Sequence, residues 1–258
     1  MGDASSRDKR EQMRAERARR EMLRRRRHRL FTILGAAVIV SLLATIAGVV
    51  AVAMKDAADL ERAAKIVRTP AHTTGGAIVV GAKGAPVTVD LYYDYMCPAC
   101  GSFERVNGED LDALLEDGTA RLRLHPMAFL DAQSDGTAYS TRTANAIATV
   151  ADAAPQAVWG LHQAFYAHQP AEGGPGLTDA EIAALARDAG VPEKVVARFT
   201  AKRHYGWVAK VTQDAFDAGV ASTPTVKVDG MPVTGGWDVS GALADAIRGA
   251  AEDRGPRS

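Results

Sequence analysis

The chain has 258 residues, of which 47% are hydrophobic, and its formal charges sum to zero. That length allows one domain of ordinary size with a well-formed core and leaves an additional segment at one end. The sequence contains two cysteines three positions apart, and a bond closing so short a loop constrains little of the unfolded chain. Composition therefore excludes a fold that depends on disulfides for its stability.

Residues 1–29 form a basic arm with twelve Lys or Arg against five Asp or Glu, so the rest of the chain carries the opposite excess. The neutral total conceals two oppositely charged parts and says nothing about the partners of either. The arm contains no interleaved aromatic residues, which disfavours a nucleic-acid patch and favours contact with anionic membrane lipid. We expect no nucleic-acid partner.

An uncharged apolar run follows at residues 30–54. A helix of that length crosses a hydrocarbon core of roughly 30 Å. Five arginines lie directly before the run, whereas only Lys55 follows closely, so the positive-inside rule predicts a single-pass protein with a cytoplasmic amino terminus and an extracytoplasmic domain. Ala51-Val52-Ala53 resembles a signal-peptidase site, but the run is longer than a usual signal core, which favours a signal-anchor; partial cleavage stays open.

A linker is predicted at residues 55–76, where turn-forming Thr, Pro and Gly residues accumulate before the folded domain. The domain itself is predicted at residues 77–252, and a short tail follows at residues 253–258. The organisation is therefore arm, transmembrane helix, linker, one folded domain and tail.

The domain begins with two predicted strands, Ile78–Val80 and Val87–Tyr92, which are rich in β-branched and aromatic residues. The second strand leads directly into a segment that ends in Cys97-Pro98-Ala99-Cys100, and the pattern is then helical through Glu104. Both cysteines are thus predicted at the start of a helix.

Further elements follow the motif. A short helical stretch is predicted at Leu111–Glu116 and a strand at Ala120–Leu124. The next block is helical, with predicted helices at Thr141–Ala153, Ala157–His168, Thr178–Ala189, Pro192–Ala201 and Trp207–Ala218. The last block is a hairpin of Thr225–Val228 and Met231–Thr234 around Asp229-Gly230, and then a helix at Gly241–Glu252. This order indicates an α/β sheet domain interrupted by helices.

A Cys-x-x-Cys pair at a strand-to-helix junction is typical of redox chemistry. The first thiol lies near the free N–H groups and the positive dipole end of the helix, which favour the nucleophilic thiolate. We therefore predict that Cys97 attacks first and that Cys100, one turn inside the helix, resolves the mixed disulfide. Pro98 suits the first helical turn because its missing N–H is not needed there.

Two other interpretations of the cysteine pair are weaker. A zinc site needs four ligands, and no histidine lies near the pair in sequence, so no metal is predicted. An inert structural disulfide would stabilise little. The six histidines form no cluster; His125 is interpreted as structural, and His162 and His168 as packing or surface residues.

The segment Ser222-Thr223-Pro224-Thr225 stands immediately before the predicted hairpin. Proline pushes the residue before it toward an extended conformation, and an X-Pro bond at a tight turn into a strand is where cis geometry is found. Alone this signal is weak, and it gains weight only in combination with the cysteine motif.

In combination, these motifs resemble the DsbA-like branch of the thioredoxin superfamily over residues 77–252. The separation between Cys97 and Pro224 is too long for a minimal thioredoxin. It resembles the spacing in the DsbA-like branch, which carries a helical insertion between the two motifs, here at about residues 130–218. The resemblance implies a thioredoxin-like fold, no cofactor, and a cis Pro224 against the cysteine pair. It also implies that the Thr223 backbone, with Pro98 and Ala99, binds a substrate strand beside Cys97.

The sequence departs from the best-known DsbA pattern in two ways. Ala99 stands where that pattern has a histidine, so we expect a less oxidising pair. The buried acid expected on the preceding strand does not align cleanly: Asp94 could relay a proton or act as a turn carboxylate. Glu104 matches a family position and is a second candidate proton relay.

The resemblance implies a thiol–disulfide oxidoreductase that introduces disulfides into exported proteins with free thiols. A quinone-linked membrane partner, DsbB-like or similar to vitamin-K-epoxide reductase, would reoxidise it. The same two sulfurs also permit a reductase or an isomerase, because only the potential decides the direction. A non-catalytic, thioredoxin-like binding or scaffold module is the alternative from another class.

Overall fold

The computed structural model describes Lys55, Ala58 and residues 61–254. The predicted basic arm and transmembrane helix lie outside the described residues. Within the part of the chain that is described, no helix is both long and apolar enough to cross a membrane. A division into compact units falls between Ala58 and Asp59, and the fold below is that of the second unit.

A six-stranded mixed sheet forms the centre of this unit, in the order β1-β2-β4-β3-β5-β6. Its strands are β1 (Thr73–Thr74), β2 (Ala77–Gly81), β3 (Val87–Tyr93), β4 (Ala120–Pro126), β5 (Thr225–Val228) and β6 (Met231–Pro232). Strands β3 and β4 run parallel, whereas every other neighbouring pair is antiparallel. All predicted strands are confirmed, and the predicted second hairpin strand is shorter than expected.

Strand β3 is one of the two central strands, and its position determines where the cysteines lie. Val87, Val89, Leu91 and Tyr93 are fully or almost fully buried, as expected for a strand paired on both sides. A parallel neighbour requires a crossover connection, which the helix α1 (Pro98–Glu116) provides. The carboxyl end of β3 therefore continues directly into the cysteine motif.

Helix α1 is continuous over 19 residues, so the prediction of two separate helical stretches was wrong. Asn107 and Gly108 interrupt the helical pattern because both residue types have low helix propensity. A tertiary contact overrides that propensity: the Asn107 amide donates to the carbonyl of Trp237 at 2.7 Å, in addition to that of Phe103 within α1 at 2.9 Å.

Five helices follow β4, and one closes the chain. They are α2 (Tyr139–Ala153), α3 (Val158–Ala167), α4 (Asp179–Asp188), α5 (Glu193–Val196), α6 (Tyr205–Asp217) and α7 (Ala242–Glu252). The capping box predicted at Thr178 and Glu181 is confirmed. A continuous helix predicted at Pro192–Ala201 was wrong, since α5 ends after four residues and a 3-10 turn follows at Phe199–Ala201.

Candidate active site

The cysteine motif caps the amino terminus of α1. Cys97 is the N-cap residue, with an extended backbone (φ −70°, ψ 116°), and Pro98 occupies the first helical turn. The Gly101 N–H donates to the Cys97 carbonyl at 3.2 Å, which starts the helix. This geometry follows from the sequence, because proline fits the first turn and removes an N–H that would have no helical partner.

Both cysteines are free thiols and both are buried, with 8% of Cys97 and 2% of Cys100 exposed. The Cys97 thiol donates to the Thr223 carbonyl at 3.3 Å. The Thr223-Pro224 peptide bond is cis, as the resemblance implied, and it leads into β5. Folding therefore brings together two motifs that lie 126 residues apart in the chain.

A reactive face can be defined as Cys97, Pro98, Ala99, Thr223 and Pro224. Pro98 and Ala99 are exposed, and Thr223 and Pro224 are half-buried. The resemblance assigns substrate contact to Thr223, Pro98 and Ala99, and the Thr223 carbonyl lies 3.3 Å from the Cys97 sulfur.

The pKa of Cys97 is lowered from 9.0 to about 6. The largest cause is a hydrogen bond with the Cys100 thiol; burial opposes it, and contacts with Thr223 and with the backbone amides of Cys100 and Ala99 lower the pKa further. At pH 7 the Cys97 sulfur is therefore mainly a thiolate, which is the nucleophilic form.

The pKa of Cys100 moves in the opposite direction. Burial raises it well above 9.0, and the hydrogen bond with Cys97 adds to that rise. Cys100 therefore keeps its proton at neutral pH and serves as a donor to the Cys97 thiolate. The two sulfurs are thus chemically unequal, with the nucleophile at the helix terminus.

Asp94 is fully buried, and its pKa is raised to about 6, mainly by burial. Its carboxylate accepts from the N–H groups of Met96 and Leu130, at 2.8 and 2.9 Å, and from the Ser140 hydroxyl at 2.7 Å. Among the described residues, no hydrogen bond of the Asp94 carboxylate goes to a cysteine, although the Asp94 backbone carbonyl accepts from the Cys97 N–H at 3.0 Å. This geometry is that of a carboxylate that organises the loop, the alternative to a proton relay.

A buried polar cluster lies on the other side of the motif and consists of Tyr93, Tyr95, Glu104 and His162. The Tyr95 hydroxyl lies 3.2 Å from that of Tyr93 and 3.1 Å from His162 Nδ1. The other imidazole nitrogen, Nε2, lies 3.4 Å from Glu104 Oε2. Glu104 thus reaches His162 of the helical insertion, a partner that its sequence position did not reveal.

His125 and His168 lie apart from this cluster, and Asp90 of β3 is the partner of His125. His125 Nε2 lies 2.8 Å from Asp90 Oδ1, and the His125 ring stacks on Tyr92 with centroids 4.0 Å apart. Burial lowers the pKa of His125. His168 is exposed. Within residues 61–254, no three His, Cys, Asp or Glu side chains are grouped closely enough to hold a metal ion.

Two residues of the helical insertion form hydrogen bonds with the segment from Asp94 to Cys97: Tyr166, within α3, and Gln169, just after it. Sequence analysis did not identify either of them as a site residue. The Tyr166 hydroxyl donates to the Asp94 carbonyl at 3.2 Å. The Gln169 amide donates to the carbonyls of Tyr95 and Cys97, at 3.1 and 2.8 Å. No local motif marks either position, because both contacts arise only when the insertion packs on the loop.

Solved structures similar to this chain are thiol–disulfide oxidoreductases. A reduced disulfide bond oxidoreductase (DsbG) from Mycobacterium tuberculosis is 32% identical, with a TM-score of 0.57, and the match covers 69% of this chain and 85% of that one. Reduced DsbA from the same organism is 30% identical, with a TM-score of 0.58 and coverage of 69% and 99%. BdbD from Bacillus subtilis, at 19% identity and a TM-score of 0.59 over 72% and 98% of the two chains, shares the fold.

Among curated proteins, the serine/threonine-protein kinase PknE of Mycobacterium tuberculosis is 38% identical over 120 residues. That match covers 44% of this chain, and the chain spans about a fifth of the length of this relative, 21%. The family model described as Thioredoxin matches residues 73–242, more than half of the chain and all of the elements that form the site. The chain therefore belongs to the thioredoxin family.

Proposed function

We propose that this protein introduces disulfide bonds into exported proteins through the Cys97–Cys100 pair. Its structural neighbours are DsbA-like thiol–disulfide oxidoreductases, and this similarity supports an oxidoreductase. The observation that carries the proposal is the opposite direction of the two pKa shifts, with Cys97 lowered to about 6 and Cys100 raised.

The reaction exchanges one disulfide for another. A client thiolate attacks the Cys97 sulfur of the oxidised pair; a mixed disulfide forms, and Cys100 leaves and takes up a proton. A second client thiolate then attacks the client sulfur of the mixed disulfide and expels the Cys97 thiolate. The client loses two electrons and the pair gains them. A thiolate of low pKa is a good leaving group, so Cys97 suits this second step.

Client binding is proposed on the reactive face. An extended client segment would lie beside Thr223, whose backbone offers main-chain hydrogen bonds. Backbone pairing of that kind tolerates many sequences, as an enzyme with many clients requires. The exposed Pro98 and Ala99 leave the approach to Cys97 open on the other side.

The cellular setting is part of the proposal. Residues 30–54 would anchor the protein in the cell membrane as a single span, with residues 1–29 in the cytoplasm near anionic lipid. The thioredoxin domain, proposed at residues 77–252, would then work outside the cytoplasm beside a quinone-linked reoxidant of the DsbB-like or vitamin-K-epoxide-reductase-like kind.

Reduction potential tests the direction of electron flow. The full-length protein is equilibrated with mixtures of reduced and oxidised glutathione, and mass analysis gives the ratio of the reduced to the oxidised Cys97–Cys100 pair. A value near or above about −180 mV supports disulfide donation, whereas a value near about −270 mV would replace the proposal with a reductase.

Trapping separates an enzyme from a non-catalytic binding module. The Cys100→Ala variant is expected to accumulate mixed disulfides with clients on Cys97 in membrane extracts. The Cys97 thiolate attacks a client disulfide and expels one client thiolate, and the Cys100 thiol that would release the adduct is missing. The matched control is Cys97→Ala with Cys100→Ala. A Cys100→Ala protein that accumulates no more adducts than this control would favour the binding module.

A further inference from the structure

Gln169 contacts the loop between β3 and α1 from the helical insertion. Its amide nitrogen donates to the Tyr95 carbonyl at 3.1 Å and to the Cys97 carbonyl at 2.8 Å. A side-chain amide has two N–H donors, so these two acceptors use both. They also fix the orientation of the amide, because its oxygen cannot face either carbonyl.

Gly101 makes room for this contact. A Cβ added at Gly101 would overlap the Gln169 amide oxygen and would lie 2.9 Å from the amide carbon. Gly101 is helical and is not among the glycines with positive φ, so its backbone conformation does not call for glycine. Glycine within a helix costs about 1 kcal/mol relative to alanine, a cost that the close approach of Gln169 explains.

The contact acts on the backbone of Cys97. The Cys97 N–H donates to the Asp94 carbonyl at 3.0 Å, and the Cys97 carbonyl accepts from both Gly101 and Gln169. The Cys97 sulfur contacts the Thr223 carbonyl. With its N–H and its carbonyl both held, the backbone of Cys97 is fixed, and with it the direction of the Cα–Cβ bond that carries the sulfur at the amino terminus of α1.

We propose that Gln169 is a positioning residue, which, in the space left by Gly101, holds the backbone of Cys97 so that its sulfur stays at the amino terminus of α1. Gln169 carries no charge and exchanges no proton or electron. It acts on the thiol through the backbone of Cys97. The importance of this contact for clients rests on the proposed function, but its effect on the Cys97 thiol does not.

The test measures the Cys97 thiol directly in the full-length protein. Alkylation by iodoacetamide is followed from pH 4 to pH 10 in the reduced wild type, Gln169→Ala, Gly101→Ala and the double variant. Gln213→Ala is the matched control, because the Gln213 amide donates to Asp217 on the exposed face of α6. Unfolding in denaturant is measured for every variant.

We expect both single variants to raise the midpoint of the alkylation curve, by about one pH unit, which is a tenfold change in the ratio of thiol to thiolate. The double variant should shift it no further than either single variant, because Gly101→Ala acts by displacing Gln169. Gln213→Ala should shift nothing. Gln169→Glu, which keeps the shape but loses the donors, should behave at least as severely as Gln169→Ala.

Two results would overturn the proposal. A Gln169→Ala protein with reduced stability but an unchanged midpoint would show a structural contact only. Additive shifts in the double variant would show that Gly101 does not act through Gln169. Client trapping by Cys100→Ala is a separate readout, so loss of the proposed oxidoreductase function and loss of this positioning role are distinguishable.

Discussion

The two sides of the cysteine motif differ in how their polar atoms are partnered. On the reactive face, Cys97 lies beside the backbone of Thr223 and the amide groups of α1. On the other side, the buried polar cluster presents phenol, carboxyl and imidazole groups that are bonded mainly to one another. Both cysteines are buried, but burial is the largest cause of the raised pKa of Cys100, whereas at Cys97 the hydrogen bond with Cys100 outweighs burial.

The surroundings of Cys100 favour its protonated form. Tyr93 and Tyr166 are close enough for the charge of Cys100 to raise their pKa, although burial is the largest cause for both. An ionised Cys100 would face phenols rather than a helix terminus. The side of the motif that excludes water therefore favours the protonated thiol, and the side that offers backbone amides favours the thiolate.

The largest expected effect is that of removing the nucleophile, which tests whether the two cysteines differ in reactivity. Cys97→Ser should lower the rate of mixed-disulfide formation with oxidised glutathione by on the order of a thousand-fold or more, because a hydroxyl does not replace a thiolate. Cys100→Ser should keep this first step and lose resolution. Mass analysis of glutathione adducts at pH 7 measures both. Equal losses in the two variants would contradict the assignment of Cys97 as the attacking sulfur.

The two halves of the reactive face differed in how well local sequence marks them. Cys97 and Pro98 lie at a strand-to-helix junction that a few adjacent residues indicate, whereas Thr223-Pro224 gave only a weak local signal, and its cis bond was implied by the family resemblance. Long-range partners could not be recognised in this way. His162 reaches Glu104, and Gln169 reaches Cys97, only through the packing of the insertion on α1.

Element boundaries failed where tertiary contacts outweigh propensity. Asn107 and Gly108 have low helix propensity and interrupt the helical pattern of the sequence. In the structure the helix continues through them, and the Asn107 amide donates within α1 and to the carbonyl of Trp237. Between Pro192 and Ala201 the helix ends after Val196, a 3-10 turn follows at Phe199–Ala201, and the Phe199 carbonyl accepts from the Asn145 amide. In both places an asparagine side chain bonds to a carbonyl far along the chain, and that partner cannot be read from the sequence.

The buried polar cluster should be the more fragile side when one member is removed. Neither Glu104 carboxyl oxygen has a hydrogen-bond partner within residues 61–254, and Oε2 lies 3.4 Å from His162 Nε2. His162→Leu removes that neighbour, and loss of one partner from a buried pair costs about 3–5 kcal/mol. Urea unfolding measures this. Lys210→Ala, which breaks an exposed i,i+4 pair with Asp214, should cost less than about 0.5 kcal/mol.

A second variant sharpens that result. Replacing both Glu104 and His162 by leucine removes the buried polar pair altogether, so the double variant should recover much of the stability lost in His162→Leu. If it is less stable than His162→Leu, the carboxyl of Glu104 has another role that the pair does not explain, and the proposed proton relay would be the first to test.

Asp94 lies between β3 and α1, and its ionisation should make the free energy of unfolding depend on pH. Burial raises its pKa from 3.8 to about 6, so between these values the folded protein holds a proton that the unfolded chain has released. The contribution of Asp94 to stability is therefore largest below about pH 4 and is lost as pH rises through about 6, by about 3 kcal/mol. Asp94→Asn, which mimics the protonated carboxyl, should lack this fall.

The measurement is the difference in unfolding free energy between wild type and Asp94→Asn from pH 4 to pH 7. A constant cost of about 1–3 kcal/mol is expected for the variant, because its amide faces the Leu130 N–H. Only the slope tests the raised pKa. A difference that does not change with pH would mean that Asp94 ionises in the folded protein much as it does in the unfolded chain.

The smallest expected effect concerns Ala99, the exposed position between the cysteines. A histidine there would add a partial positive charge beside Cys97 at the amino terminus of α1, and should lower the pKa of Cys97 below about 6. One pKa unit stabilises the reduced form by about 1.4 kcal/mol, which raises the potential by about 30 mV. Ala99→Asn, polar but uncharged, is the matched control, and both potentials are measured against glutathione at pH 6 and pH 8. A larger rise for Ala99→His at pH 6, where the imidazole is charged, would show that charge on the reactive face sets how oxidising the pair is; equal rises for both variants would assign the effect to size or polarity instead.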